Sequence, residues 1–135
     1  MSSKRILGID PGTGICGFGV IEVKPSTKNS LRGNTKMIDV GVIKTPPHTP
    51  LQDRLLDIYD SLNEIIKTTK PNVVSIEKLF FTKNITTGIS VAEARGVVML
   101  VCRQHNLPIY EYTPNEIKKT IAGYRNSSRN ILSEK

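Results

Sequence analysis

The sequence has 135 residues, 38% hydrophobic and 23% charged, which fits one folded domain and excludes wholesale disorder. Two distant cysteines exclude a disulfide scaffold, and no apolar run approaches a membrane span. Gly8, Asp10 and Pro11 interrupt any signal-peptide core, leaving a cytoplasmic domain whose +7 charge suggests a polyanionic partner, nucleic acid before membrane.

Residues 5–10 read as a short buried strand stopped by Pro11-Gly-Thr-Gly14. A second strand, 16–23, carries Gly17 and Gly19, and a third, 37–44, ends before the Pro46-Pro47 pair, which denies ladder hydrogen bonds. Three strands separated by turns suggest an antiparallel meander. The period then changes. Leu51, Leu55, Tyr59, Leu62, Ile65 and Ile66 recur at helical spacing over 51–69, a helix about 28 Å long. Residues 73–77 form an apolar run too short for a helix, 86–105 read as a long helix, and 109–112 as a last strand. Thr113-Pro-Asn-Glu116 carries a cap-like Thr, a Pro at the first helical position and an acid at the third. This order places a meander beside crossover strands, an α/β fold with a mixed sheet flanked by helices.

Asp10 ends the first strand and Glu77 the fourth. If those strands are parallel neighbours, both side chains project at one edge of the sheet, each preceded two residues back by a small residue, Gly8 or Ser75. Two acids so close repel unless a cation sits between them, and magnesium, a hard ion that takes oxygen ligands, suits the pair. Asp-Pro-Gly is also an ordinary turn, and acids at strand ends are common. Spacing alone leaves both readings open.

The residues then carry a resemblance. Ile6-Leu-Gly-Ile-Asp-Pro-Gly-Thr-Gly14 with Gly17-Phe-Gly-Val-Ile21 resembles the opening of RuvC-type Holliday junction resolvases. Ile76-Glu-Lys-Leu-Phe-Phe-Thr-Lys-Asn84 is similar to that family's second acidic motif. Ala94-Arg-Gly-Val97, Pro108-Ile-Tyr-Glu-Tyr-Thr-Pro114 and Ile117-Lys-Lys-Thr120 follow in the family's order. The resemblance runs over nearly the whole chain. It implies a ribonuclease-H-like fold with a five-stranded mixed sheet, a homodimer, and magnesium-dependent nicking of four-way DNA junctions in recombination and repair. It makes Asp10 and Glu77 the first two catalytic, metal-binding carboxylates of a two-ion site, and a branch-migration motor complex a further partner.

The family's site is completed by two acids one helical turn apart on a final helix. Beyond Glu116 this sequence holds only Glu134. The expectation is a single domain over 1–135 lacking that helix. Two carboxylates facing two magnesium ions would bind metal weakly, and cleavage would be reduced or absent.

Lys78, Lys83, Lys118, Lys119, Arg125 and Arg129 follow or flank the expected edge, where cations neutralise phosphates. By the resemblance, Lys118 and Arg129 match basic positions close to the cleaved strand. Arg129 stands where the family usually has lysine, and Gly123-Tyr-Arg-Asn126 replaces a glycine-rich turn. Phe80 and Phe81 are adjacent and cannot easily share one pocket; the resemblance puts Phe80 in a loop wedging at the junction centre. In the 86–105 helix, Ala92, Gly96 and Leu100 share one side, where another helix can approach closely. If that side packs on the sheet, an opposite side through Val91, Val98 and Val101 is left for a partner, and the resemblance puts this helix at the dimer interface. Cys16 and Cys102 read as small buried hydrophobes, and His48 and His105 as loop or helix-end residues, none at metal-ligand spacing.

Three other functions fit parts of the sequence. A related nuclease acting on structured RNA shares the glycine-rich start. An actin-like or sugar-kinase domain shares the Asp-x-Gly-Thr turn but needs a second lobe. A catalytically inactive junction-binding module fits the missing acids.

Overall fold

The computed structural model describes residues 3–25, 34–46, 48–78 and 85–112. Strands β1 (Lys4–Asp10), β2 (Ile15–Val23) and β3 (Thr35–Lys44) come first. Helix α1 (Leu51–Thr69), strand β4 (Val73–Glu77), helix α2 (Ile85–Gln104) and strand β5 (Ile109–Tyr112) follow. The expected element order is observed through residue 112, with ends shifted by one or two residues. The helix expected from residue 114 lies outside the described residues.

The strands form one mixed sheet in the order β3-β2-β1-β4-β5. β1, β2 and β3 make the antiparallel meander, while β4 and β5 run parallel to β1. Local chemistry seats β4 beside β1. Lys70 ends α1 in a left-handed conformation and donates its N–H to the Ile66 carbonyl at 2.9 Å. Two residues on, Asn72 accepts the Arg5 N–H on Oδ1 at 2.7 Å and donates its own N–H to the Arg5 carbonyl at 2.8 Å. The Arg5 side chain closes the corner, with Nη1 on the Thr69 carbonyl at 2.6 Å and Nε on Glu22 Oε1 at 2.9 Å.

Strand alternation assigns the faces. Leu7 and Ile9 of β1 and Val74 and Ile76 of β4 are buried beneath the two helices. They meet Ile58, Leu62 and Ile66 of α1 and Ala94, Val98, Val101 and Cys102 of α2. Each fully buried aliphatic side chain there contributes about 1.5–3 kcal/mol. Ile58 is absent from the stripe read in the sequence, yet it sits one turn before Leu62 and is fully buried. Cys16 and Cys102 are buried as expected.

The structure decides between the two sides of α2. Val98 and Val101 are fully buried, whereas Gly96 and Leu100 are exposed. The side through Val91, Val98 and Val101 is therefore not the one left open. The reason is width: Ala94, Val98, Val101 and Cys102 form a broad apolar side that fits the sheet and α1. Gly96 and Leu100 share their stripe with Glu93 and Arg103, which favours solvent.

Candidate active site

β1, β3, β4 and β5 all point the same way, so their C-terminal ends meet at one edge of the sheet. Open α/β sheets bind ligands at such edges. In the β1–β4 ladder Gly8 pairs with Ser75 and Ile9 with Ile76. One step further, Asp10 stands level with Glu77. Because Ile9 and Ile76 turn toward the helices, both carboxylates project from the opposite face. The strand spacing there is about 4.8 Å. The sequence expectation of paired acids at one edge is met by the register itself.

The other ladders complete the row. Gly17 flanks Asp10, and Tyr112 flanks Glu77. One pair below, the row runs Gly19, Gly8, Ser75, Tyr110. The glycines leave a shallow floor: a Cβ at Gly19 would meet nothing within 4 Å. Exposed Val40 and Val42 border that floor on one side, exposed Tyr110 and Tyr112 on the other. The tyrosines escaped the sequence reading as site residues. Their signal was alternation, since they bracket Glu111 in a strand whose direction and neighbour were needed to assign the face.

The turn after Asp10 is held from three sides. The Thr45 N–H donates to the Gly14 carbonyl at 3.1 Å, and the Thr45 hydroxyl donates to the Thr13 carbonyl. Arg54, in the first turn of α1, donates Nε–H to Thr45 Oγ1 at 3.3 Å. The Thr13 and Ser90 hydroxyls share a hydrogen bond at 2.6 Å, tying the same turn to α2. Gly12 is required by space: a Cβ there would fall on the Ile15 carbonyl oxygen. Burial pushes the Cys16 thiol up, with the Gly12 backbone hydrogen bond opposing and the Asp10 charge adding.

Asp10 and Glu77 supply hard oxygen donors next to a residue without a side chain, a donor set that fits a divalent magnesium ion. Among the described residues no group of three or more His, Cys, Asp or Glu gathers around one point, so the pair stands alone there. Lys78 is exposed directly after Glu77, and its N–H donates to the Tyr112 carbonyl at 2.6 Å. Phe80, Phe81, Lys83, Lys118, Lys119, Arg125 and Arg129 lie outside the described residues. His48 is an exposed turn residue, and His105 lies at the end of α2 with Nε2 at 2.7 Å from Asn63 Oδ1. No helix among the described residues is long and apolar enough to cross a membrane.

Comparison with known proteins agrees with this geometry. Residues 6–132 match the model of the family described as crossover junction endodeoxyribonuclease RuvC. The protein of that name from Desulfitobacterium hafniense is 45% identical over 130 residues, 96% of this chain and 74% of the relative. The Thermotoga maritima protein is 42% identical over 135 residues, 99% of this chain and 76% of the relative. Among solved structures, Thermus thermophilus RuvC in complex with a Holliday junction substrate superposes with a TM-score of 0.78 at 29% identity, covering 89% of this chain and 69% of that one. The yeast mitochondrial Holliday junction resolvase Ydc2, at 14% identity and a TM-score of 0.62 over 92% of this chain and 59% of its own, shares the fold. With residues 6–132 matched to the family model and its paired strand-end carboxylates in register, this chain belongs to the RuvC family of crossover junction endodeoxyribonucleases.

Proposed function

We propose that this protein binds four-way DNA junctions as a homodimer and nicks paired strands by magnesium-dependent phosphodiester hydrolysis, serving recombination and repair in the cytoplasm. The observation that carries the reading is the register of β1 against β4, which brings Asp10 level with Glu77 on the face away from the helices. Asp10 and Glu77 are the residues that hold the metal, two ions in the complete site. Such an ion, when bound, polarises the phosphodiester and makes a bound water acidic enough to act as nucleophile. The chain's own part is position and access. The floor of Gly8, Gly17 and Gly19 lets a strand approach the carboxylates closely, and the Thr45–Thr13–Ser90 bonds keep the Asp10 turn from moving. Phe80 stacks at the junction centre, and Lys83, Lys118 and Arg129 neutralise phosphates around it.

The exposed stripe of Ile89, Gly96 and Leu100 on α2 supports the dimer, because an exposed glycine within a helix lets a second helix come close. A two-fold dimer matches the approximate symmetry of a four-way junction. A branch-migration motor complex is a further proposed partner. Residues 1–135 hold two of the four expected carboxylates, so a chain of just these residues is proposed to form one nuclease domain that binds junctions, holds metal weakly and cuts little.

The test compares a four-way junction, a linear duplex of the same sequence and a structured RNA, each with and without Mg2+. Preferential binding of the junction, with symmetric nicks wherever cleavage occurs, is expected. Equal affinity for the linear duplex, or cleavage confined to the RNA, overturns the reading.

A further inference from the structure

Four arginines lie among the described residues, and three of them place their Nη groups on protein acceptors. Arg5 Nη1 donates to the Thr69 carbonyl at 2.6 Å, and Arg103 Nη1 to Asn106 Oδ1 at 2.8 Å. Arg95 pairs with Glu111 through Nη2 and reaches Met99 Sδ from Nη1 at 3.3 Å. Arg54 differs. Its Nε–H is on Thr45 Oγ1 at 3.3 Å, but neither Nη has a protein acceptor or a carboxylate partner among the described residues. The side chain is nonetheless located, half-buried, with Nη2 3.5 Å from where a Cβ of Gly14 would stand. It therefore hangs over the Gly12–Thr13–Gly14 turn that follows Asp10.

A guanidinium offers five N–H donors in a rigid planar fork, and the four on the Arg54 Nη groups are taken by no protein acceptor among the described residues, which leaves them open to a ligand. A phosphodiester oxygen pair has the geometry and charge to do so. The anchoring Nε–H bond fixes the plane of the fork before any ligand arrives, which lowers the ordering cost of binding. We propose that Arg54 is a phosphate-contacting residue, its two Nη groups gripping one backbone phosphate of the DNA strand led over the Asp10 turn. The inference rests on the junction-binding reading above and adds a contact from α1 to it. Arg54 positions the strand; Asp10 and Glu77 remain the groups at the reacting phosphate.

The decisive variant is Arg54→Gln. Glutamine Nε2 takes the place of arginine Nε, so the Thr45 hydrogen bond survives while the charge and the Nη pair are removed. Four-way-junction affinity is measured for wild type, Arg54→Gln and Arg54→Lys over a range of salt, alongside thermal unfolding of each. Loss of one phosphate contact should weaken the Gln variant roughly tenfold at fixed salt, with its log–log salt slope shallower by about 0.9. Lysine should restore the slope but not the full affinity, because it supplies charge without the fork. A Gln variant with the wild-type slope overturns the proposal, whatever its unfolding temperature, and a lowered temperature beside it would mark Arg54 as a strut for the turn. If wild type itself shows no salt-dependent preference for the junction, the functional reading fails and this inference with it.

Discussion

Gly8 stands opposite Ser75 in the parallel ladder of β1 and β4, two residues below Asp10 and Glu77 and on the same face of the sheet. These small residues leave the face below the two carboxylates open, and the ladder sets the acids level on neighbouring strands. Like charges level on adjacent strands are destabilising. Asp10→Asn should therefore stabilise the metal-free protein by about 0.5 kcal/mol and abolish the rise in Tm on adding millimolar Mg2+. Thermal unfolding with and without the ion measures both. A wild-type Mg2+ response in the Asn variant would take the metal away from this pair.

The two kinds of glycine near the site should respond oppositely. Gly12→Ala places a Cβ on the Ile15 carbonyl oxygen, and relief requires the turn after Asp10 to move. A loss on the order of 1–3 kcal/mol in urea unfolding is expected. Gly19→Ala enters open space and should stay within about 0.5 kcal/mol of wild type. Equal effects would mean that the turn is not held where it lies.

Arg95 and Glu111 join α2 to β5, with the arginine side chain largely buried and its Nε lacking a partner. Removing one member strands the other. Arg95→Ala should cost about 2–3 kcal/mol, less than for a fully buried pair because Glu111 is one-third exposed. Combining Arg95→Met with Glu111→Leu should recover most of that loss. A double-mutant cycle by denaturant unfolding reads the coupling, and additive losses would refute it.

Cys102 is fully buried, and desolvation pushes its thiol up to about 11. An unfolded cysteine ionises near 9.0, so above that pH the unfolded chain releases its proton first. The contribution is complete below pH 9.0 and is lost as pH rises toward about 11. Cys102→Ala should flatten that alkaline loss in a pH series of unfolding midpoints. At pH 8 the folded protein should react with a maleimide only after denaturant is added.

The open stripe of α2 is the surface through which the proposed homodimer would form. Leu100→Glu should shift sedimentation from dimer to monomer while leaving the monomer's far-ultraviolet circular dichroism unchanged, because Leu100 is exposed within one chain. An unchanged dimer would move the interface elsewhere.

Much of this was readable from residues alone. Asp10 and Glu77 announced themselves because each ends a short apolar run, and Gly8 and Ser75 hinted at the gap between neighbours. What escaped was anything defined by a distant packing partner. Val98 and Val101 are as apolar as Leu100, and only the sheet beneath α2 decides which of them is covered. Arg54 looks like any solvated helix cation until Thr45, nine residues earlier, is seen beneath it. Tyr110 and Tyr112 need the parallel pairing with β4 before their face is known. Local periodicity predicts elements; non-local contacts decide what each side chain meets.

Asp10 and Glu77 are separated in the chain by all of β2, β3 and α1. The β1–β2–β3 meander can close on its own local contacts, but the carboxylates become neighbours only when β4 crosses over and docks. During synthesis Asp10 leaves the ribosome long before Glu77 exists. The emerging chain thus carries Asp10 without its neighbour, and the paired acids exist only once β4 has docked beside β1.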